Sequence, residues 1–126
     1  MTIAQAQADI IRQARSGNHD YERMLAAQLE HCGCMPPVFE YRFAPPRKWR
    51  ADLAYVQQRI LIEIEGGRWN GGRHTRPKGY EADLEKYNAA VIAGFKVLRY
   101  TPEQVKNWTA AQEIATVLLG RDVIIG

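Results

Sequence analysis

The sequence predicts an α/β (α+β) chain built on a mixed four-stranded sheet. Its predicted order is helix, helix, strand, strand, strand, helix, strand, helix. Two observations carry the expectation. Apolar residues at helical spacing give way to strand-like runs and back again, with proline or glycine at nearly every change. A helix-length segment also separates the third strand from the fourth, so the chain can return parallel to a strand it has already laid down.

The elements follow in order. Thr2 and Gln5 suit a capping box, and Ile3, Ile10 and Ile11 suit a helix to about Arg15. Ser16-Gly17-Asn18 breaks it. Tyr21, Met24, Leu25 and Leu29 predict a second helix over Asp20 to His31, ended by Gly33 and Pro36-Pro37. Strands are expected over Val38–Phe43, Trp49–Tyr55 and Arg59–Glu65, with turns at Pro45-Pro46 and Gln57-Gln58. The glycines from Gly66 to Gly79 predict a long loop. Pro77 opens a helix that runs through Glu81, Leu84, Tyr87, Ala90 and Val91 to a stop at Gly94. Phe95–Tyr100 is the fourth strand. Thr101-Pro102-Glu103-Gln104 combines an N-cap, a proline in the first turn and a box glutamine, and predicts one final helix to about Leu119. Asp122 to Ile125 is a short strand or a docked tail. Three strands in succession predict an antiparallel meander, the fourth is parallel to one of them, and helices cover both faces.

At 126 residues the chain is long enough for one domain with a sizeable core, and the domain is expected to span 1–126. Hydrophobic residues at 46% and charged residues at 25% match a soluble globular protein. Cys32 and Cys34 stand too close in sequence to bridge each other well, so no disulfide framework is implied. His31-Cys32-Gly33-Cys34 lacks the second ligand pair of a zinc site and reads better as two small packed thiols. The N-terminus has no signal-peptide pattern and no apolar run approaches membrane-spanning length, so a cytoplasmic protein without membrane contact is expected. The net charge of +3 is mild, but its distribution is not. Arg42, Arg47, Lys48 and Arg50 precede the third strand; Arg68, Arg73, His74, Arg76 and Lys78 follow it.

That third strand raises the functional question. A central strand should be apolar on both sides, yet Ile60-Leu61-Ile62 runs into Glu63 and, two residues on, Glu65. A buried carboxylate neutralises or finds a partner. Either both glutamates pair with nearby arginines where the sheet meets solvent, or they hold a hard divalent cation. A hairpin turning near Gln57-Gln58 brings Asp52 close to Glu63 across the ladder. Two carboxylates on adjacent strands, ringed by cations that hold phosphates, suit metal-assisted phosphodiester cleavage.

Here the chain resembles a known family. Asp52 followed by Glu63-Ile64-Glu65 looks like the PD-(D/E)XK nuclease signature, and the element order over about Asp20 to Tyr100 is similar to that family's α-β-β-β-α-β, restriction-endonuclease-like core. "EGGRWNGGRH" and "GFKVLRYTPE" resemble segments of the small stand-alone enzymes akin to the very-short-patch-repair endonucleases of bacteria and phages. The resemblance implies an endonuclease using Mg²⁺ or Mn²⁺ on DNA, leaving 5′-phosphate and 3′-hydroxyl ends, in a bacterial or phage-infected cell. Asp52 and Glu63 would be metal ligands, with the carbonyl of Ile64 as a further one. Glu22, matching an acid on the family's first core helix, would bind the metal's water or a second metal. A nuclease of this size that cuts both strands would act as a homodimer.

The departure is at Glu65, where the family places lysine. Either Glu65 joins the metal shell or the positive charge comes from elsewhere. Lys86 in "DLEKYN" fits, set beside Asp83 by helical spacing, although a helix lysine can also simply pair with Asp83 or Glu85. His74 and Lys78 are the alternatives from the loop. Arg47, Lys48, Arg50, Arg68, Arg73, Arg76 and Lys78 read as phosphate contacts or as a solvated basic run. Trp69, among glycines and arginines, reads as a DNA contact; Trp49 and Trp108 read as packing. The missing lysine also leaves open a non-catalytic DNA-binding module of the same fold.

Overall fold

A computed structural model describes residues 19–65 and 77–120, with backbone alone at 77–80. Helix α1 spans Asp20–His31, with acidic Asp20 and Glu22 in its first turn and His31 in its last, the arrangement the helix dipole favours. Gly33, at φ +94, carries the chain out: the Gly33 and Cys34 amides donate back to Glu30 and Leu29.

The strands are β1 Val38–Arg42, β2 Arg50–Tyr55, β3 Ile60–Ile64 and β4 Lys96–Tyr100. They form one sheet in the order β1-β2-β3-β4, antiparallel twice and then parallel. Helix α2, Pro77–Ile92, makes the crossover between β3 and β4. β3 is therefore an inner strand, and Ile60, Leu61, Ile62 and Glu63 are all buried.

The described chain falls into two compact units, Val38–Tyr100 and the segments on either side of it. Within Val38–Tyr100 the core is Phe43, Ala51, Ala54, Leu61, Ala90 and Phe95, with Tyr41, Trp49 and Val97 packed against it. Trp49 stacks on Phe43, in the packing role expected of it. Burying a side chain such as Leu61 contributes roughly 1.5–3 kcal/mol. Gly94, at φ +92, ends α2, and its neighbour Phe95 donates its amide back to Ala90. Arg59 reinforces that end from the β2–β3 turn: its guanidinium donates to the Ala93 carbonyl and lies 4.1 Å from the Phe95 ring centroid.

In the other unit the chain after Thr101 departs from expectation. The Thr101–Gln104 capping box forms as predicted. The single helix does not: α3 spans Pro102–Lys106 and α4 spans Thr109–Leu119. Between them Trp108 takes a left-handed conformation, φ +70, and buries its ring edge-on to His31 at 5.6 Å. Burial of a large ring outweighs the strain of about 1–3 kcal/mol, and no helix-breaking residue type announces the kink. Gln28 of α1, itself buried, donates its side-chain amide to the Val105 carbonyl at 2.9 Å.

The helix expected before Arg15, the 66–76 loop with Arg68, Trp69, Arg73, His74 and Arg76, the Lys78 side chain and the tail at 122–125 lie outside the described residues. Among the described residues, no helix is long and apolar enough to cross a membrane.

Candidate metal centre

The β2–β3 hairpin turns through Val56–Arg59 and pairs Tyr55 with Ile60, Ala54 with Leu61 and Leu53 with Ile62. One residue further along each strand stand Asp52 and Glu63. There the Asp52 carboxylate takes over from the backbone ladder: its Oδ2 accepts the Ile64 amide at 2.7 Å. Asp52 is thereby fixed on the strand that carries Glu63.

Glu63 is buried, and its main partner comes from α2. Lys86 Nζ lies 2.5 Å from Glu63 Oε1. Lys86 reaches it because Ala90, four residues later and so on the same helix face, is packed into the core with Leu61. Burial pushes the Glu63 carboxyl up to about 7; the Lys86 ammonium opposes that rise and the nearby Asp52 charge adds to it. Two carboxylates thus stand near each other in a partly dry setting, with the lysine on Glu63 and the Ile64 amide on Asp52. Such a set of hard oxygen donors, with like charges incompletely offset, fits a divalent cation. Asp52, Glu63 and the Ile64 carbonyl are the residues that would hold it.

Glu65 is placed differently. Arg99, the Cα partner of Glu63 on β4, turns its guanidinium onto Glu65: Nε to Oε1 is 2.9 Å and Nη2 to Oε2 is 2.7 Å. The Tyr87 hydroxyl donates to Glu65 Oε1 at 3.1 Å. Arg99 also lies 4.1 Å from the Tyr87 ring centroid. Burial, with the charges of Glu63 and Glu65, holds the Tyr87 phenol well above its ordinary range, so it remains a donor.

Of the other expected residues, Arg47, Lys48 and Arg50 are exposed. Arg50 pairs with Arg42 at the same end of the sheet as Asp52 and Glu63, because β2 begins where β3 ends. Arg47 lies over Trp49 at 4.5 Å and 3.8 Å from Glu85. Glu85 is therefore engaged elsewhere than with Lys86. Glu22 belongs to the other unit, where it is buried with its Oε2 3.1 Å from His19 Nδ1. Cys32 and Cys34 are free thiols, both held above the usual range by burial, which suits packing rather than metal binding.

Tyr87 and Arg99 were not anticipated as site residues. Arg99 carried one available signal: a fourth strand parallel to β3 and adjacent to it sets a residue near its end beside Glu63. Tyr87 carried none, since an aromatic beside a lysine on an amphipathic helix reads as core. No family model, curated protein or solved structure matches this chain.

Proposed function

We propose that this chain is a Mg²⁺- or Mn²⁺-dependent endodeoxyribonuclease that hydrolyses phosphodiester bonds to 5′-phosphate and 3′-hydroxyl ends. The observation that carries the reading is the meeting of Asp52, Glu63 and Lys86 at one end of an inner β-hairpin. The PD-(D/E)XK resemblance supports it, and the strand order agrees with the element order that prompted it.

When bound, the divalent ion supplies Lewis acidity, lowering the pKa of a water and neutralising charge that builds on the phosphate. Asp52 and Glu63 would hold it, and the Ile64 amide fixes the Asp52 carboxylate against the strand that carries Glu63. Lys86 takes the role of the motif lysine from α2. Its ammonium offsets the buried Glu63 charge and supplies the positive charge or proton needed beside the attacked phosphate. Arg47, Lys48 and Arg50 take flanking phosphates on the exposed side of the same sheet end.

The test is cleavage of labelled linear, nicked, flapped and four-way-junction DNA with Mg²⁺ or Mn²⁺, against a chelator control. Asp52→Ala and Glu63→Ala should abolish cleavage while remaining folded. Lys86→Ala should lose about a hundredfold or more in rate with Mn²⁺ binding by calorimetry little changed, and Lys86→Arg should recover part of the loss if charge is what matters. Wild-type cleavage by folded Asp52→Ala would sink the site as drawn. A second reading rests on the same ion pair: Lys86 satisfies Glu63 without a metal, as it would in a catalytically silent DNA-binding module. DNA binding with neither Mn²⁺ binding nor cleavage would select that reading.

A further inference from the structure

Within the nuclease reading, we infer that Arg99 is the phosphodiester-binding cation of the centre and that Glu65 is its positioning residue, not a metal ligand. Glu65 is already fully engaged. Both its oxygens accept from Arg99, Oε2 from Nη2 and Oε1 from Nε and Nη2, and Oε1 also accepts from the Tyr87 hydroxyl. A carboxylate engaged in a guanidinium fork is poorly placed to turn toward an ion, because each bond to the metal would cost a charge-assisted hydrogen bond.

The same contacts prepare Arg99. The fork fixes one edge of the guanidinium and the Tyr87 ring supports its face at 4.1 Å. The Nη1 edge makes no hydrogen bond among the described residues, and the side chain is 45% exposed, so a ligand can reach it. A guanidinium held on two sides has already lost its rotamer freedom, and binding an oxyanion costs it little more. Lysine at position 65 would place positive charge on the metal strand; Glu65 instead recruits an arginine from the neighbouring strand. Arg99 is the register partner of Glu63, so the two side chains leave the pleated sheet at the same level and on the same side.

A guanidinium stays charged at any working pH, so the open edge of Arg99 takes an oxyanion. Within the nuclease reading that oxyanion is the phosphodiester, bound beside the carboxylates that would hold the divalent ion.

The experiment uses the sign of an effect. Glu65→Gln removes a negative charge from the centre, so simple electrostatics predicts tighter DNA binding. If Glu65 positions Arg99, binding instead weakens. Anisotropy of a fluorescent duplex is measured in Ca²⁺ at fixed salt, with Mn²⁺ alone titrated by calorimetry and thermal melting as the fold control. Glu65→Gln and Arg99→Lys should each weaken DNA binding about tenfold while changing Mn²⁺ affinity less than about threefold. Asp52→Ala should lose Mn²⁺ binding. Tighter DNA binding by Glu65→Gln, unchanged binding by folded Arg99→Lys, or loss of Mn²⁺ by folded Glu65→Gln overturns the inference and leaves the nuclease reading in place. No Mn²⁺ binding and no DNA binding by the wild type overturns both.

Discussion

Glu63 is held by opposing influences that a change of pH separates. Its carboxyl is raised to about 7, by burial first and by Asp52 next, against the pull of Lys86. Between the unfolded value of about 4.5 and 7, the native protein keeps a proton that the unfolded chain has released. The stability this group contributes is therefore present below about pH 4.5 and is lost as pH rises to 7, by up to about 1.4 kcal/mol per pH unit. Glu63→Gln cannot lose that proton. Urea melts in chelator should show the variant gaining stability over wild type from pH 5 to pH 8, on the order of 2 kcal/mol across the range. A stability difference that stays flat with pH would mean that the carboxyl titrates as an exposed one. Metal ligands must be ionised, so Mn²⁺ affinity should rise through the same window.

Two element ends can be weakened by single substitutions, and only one of them bears on the centre. Helix α2 aims Lys86 correctly only if its C-terminal end is fixed against the hairpin. That end rests on Gly94 in a left-handed conformation and on Arg59, reaching from the β2–β3 turn to the Ala93 carbonyl. A Cβ at Gly94 would stand 3.4 Å from Arg59 Nη2 in a conformation that side chains rarely adopt. Gly94→Ala should cost about 1–2 kcal/mol. Thr101→Ala, which removes the Thr101 side-chain half of the α3 capping box, should cost about 1 kcal/mol. In chemical denaturation both variants should keep the wild-type m-value with a lowered midpoint. In a cleavage assay at low temperature Gly94→Ala should lose rate and Thr101→Ala should not, since only Gly94 anchors the helix that carries Lys86. Equal rates for the two would show that Lys86 is positioned independently of that end.

For the protein acting on DNA, the decisive quantity is how affinity depends on salt. Arg47, Lys48 and Arg50 are exposed near the N-terminal end of β2. Each phosphate they neutralise releases counterions and adds about −0.9 to the slope of log affinity against log salt. The triple change to alanine should flatten that slope by roughly two to three and weaken binding across unrelated sequences alike. An unchanged slope would move the DNA surface elsewhere. Arg47 tests the point separately, because its contacts with Trp49 and Glu85 must compete with a phosphate.

Much of this architecture was legible along the chain because its determinants are local. Turn residues, glycine stops and the Thr101 box marked the elements to within a residue or two, and helix α1 lies where its apolar spacing puts it. The hairpin turn at Gln57-Gln58 sufficed to set Asp52 beside Glu63, since register in a short antiparallel hairpin follows from its turn. The partners of those acids were another matter. Lys86 had Asp83 and Glu85 within helical reach, and only the packing of Ala90 against the sheet turned it to Glu63. Glu65 had many arginines to choose from, and the parallel register of β4 selected Arg99. The break at Trp108 likewise followed from burying a ring against His31, which no local preference encodes. Sequence determined which residues stand close along a strand or turn, because backbone geometry decides that over a few residues. Tertiary structure decided which charges meet, because an ion pair forms between whichever side chains packing of the apolar surfaces has already brought within reach.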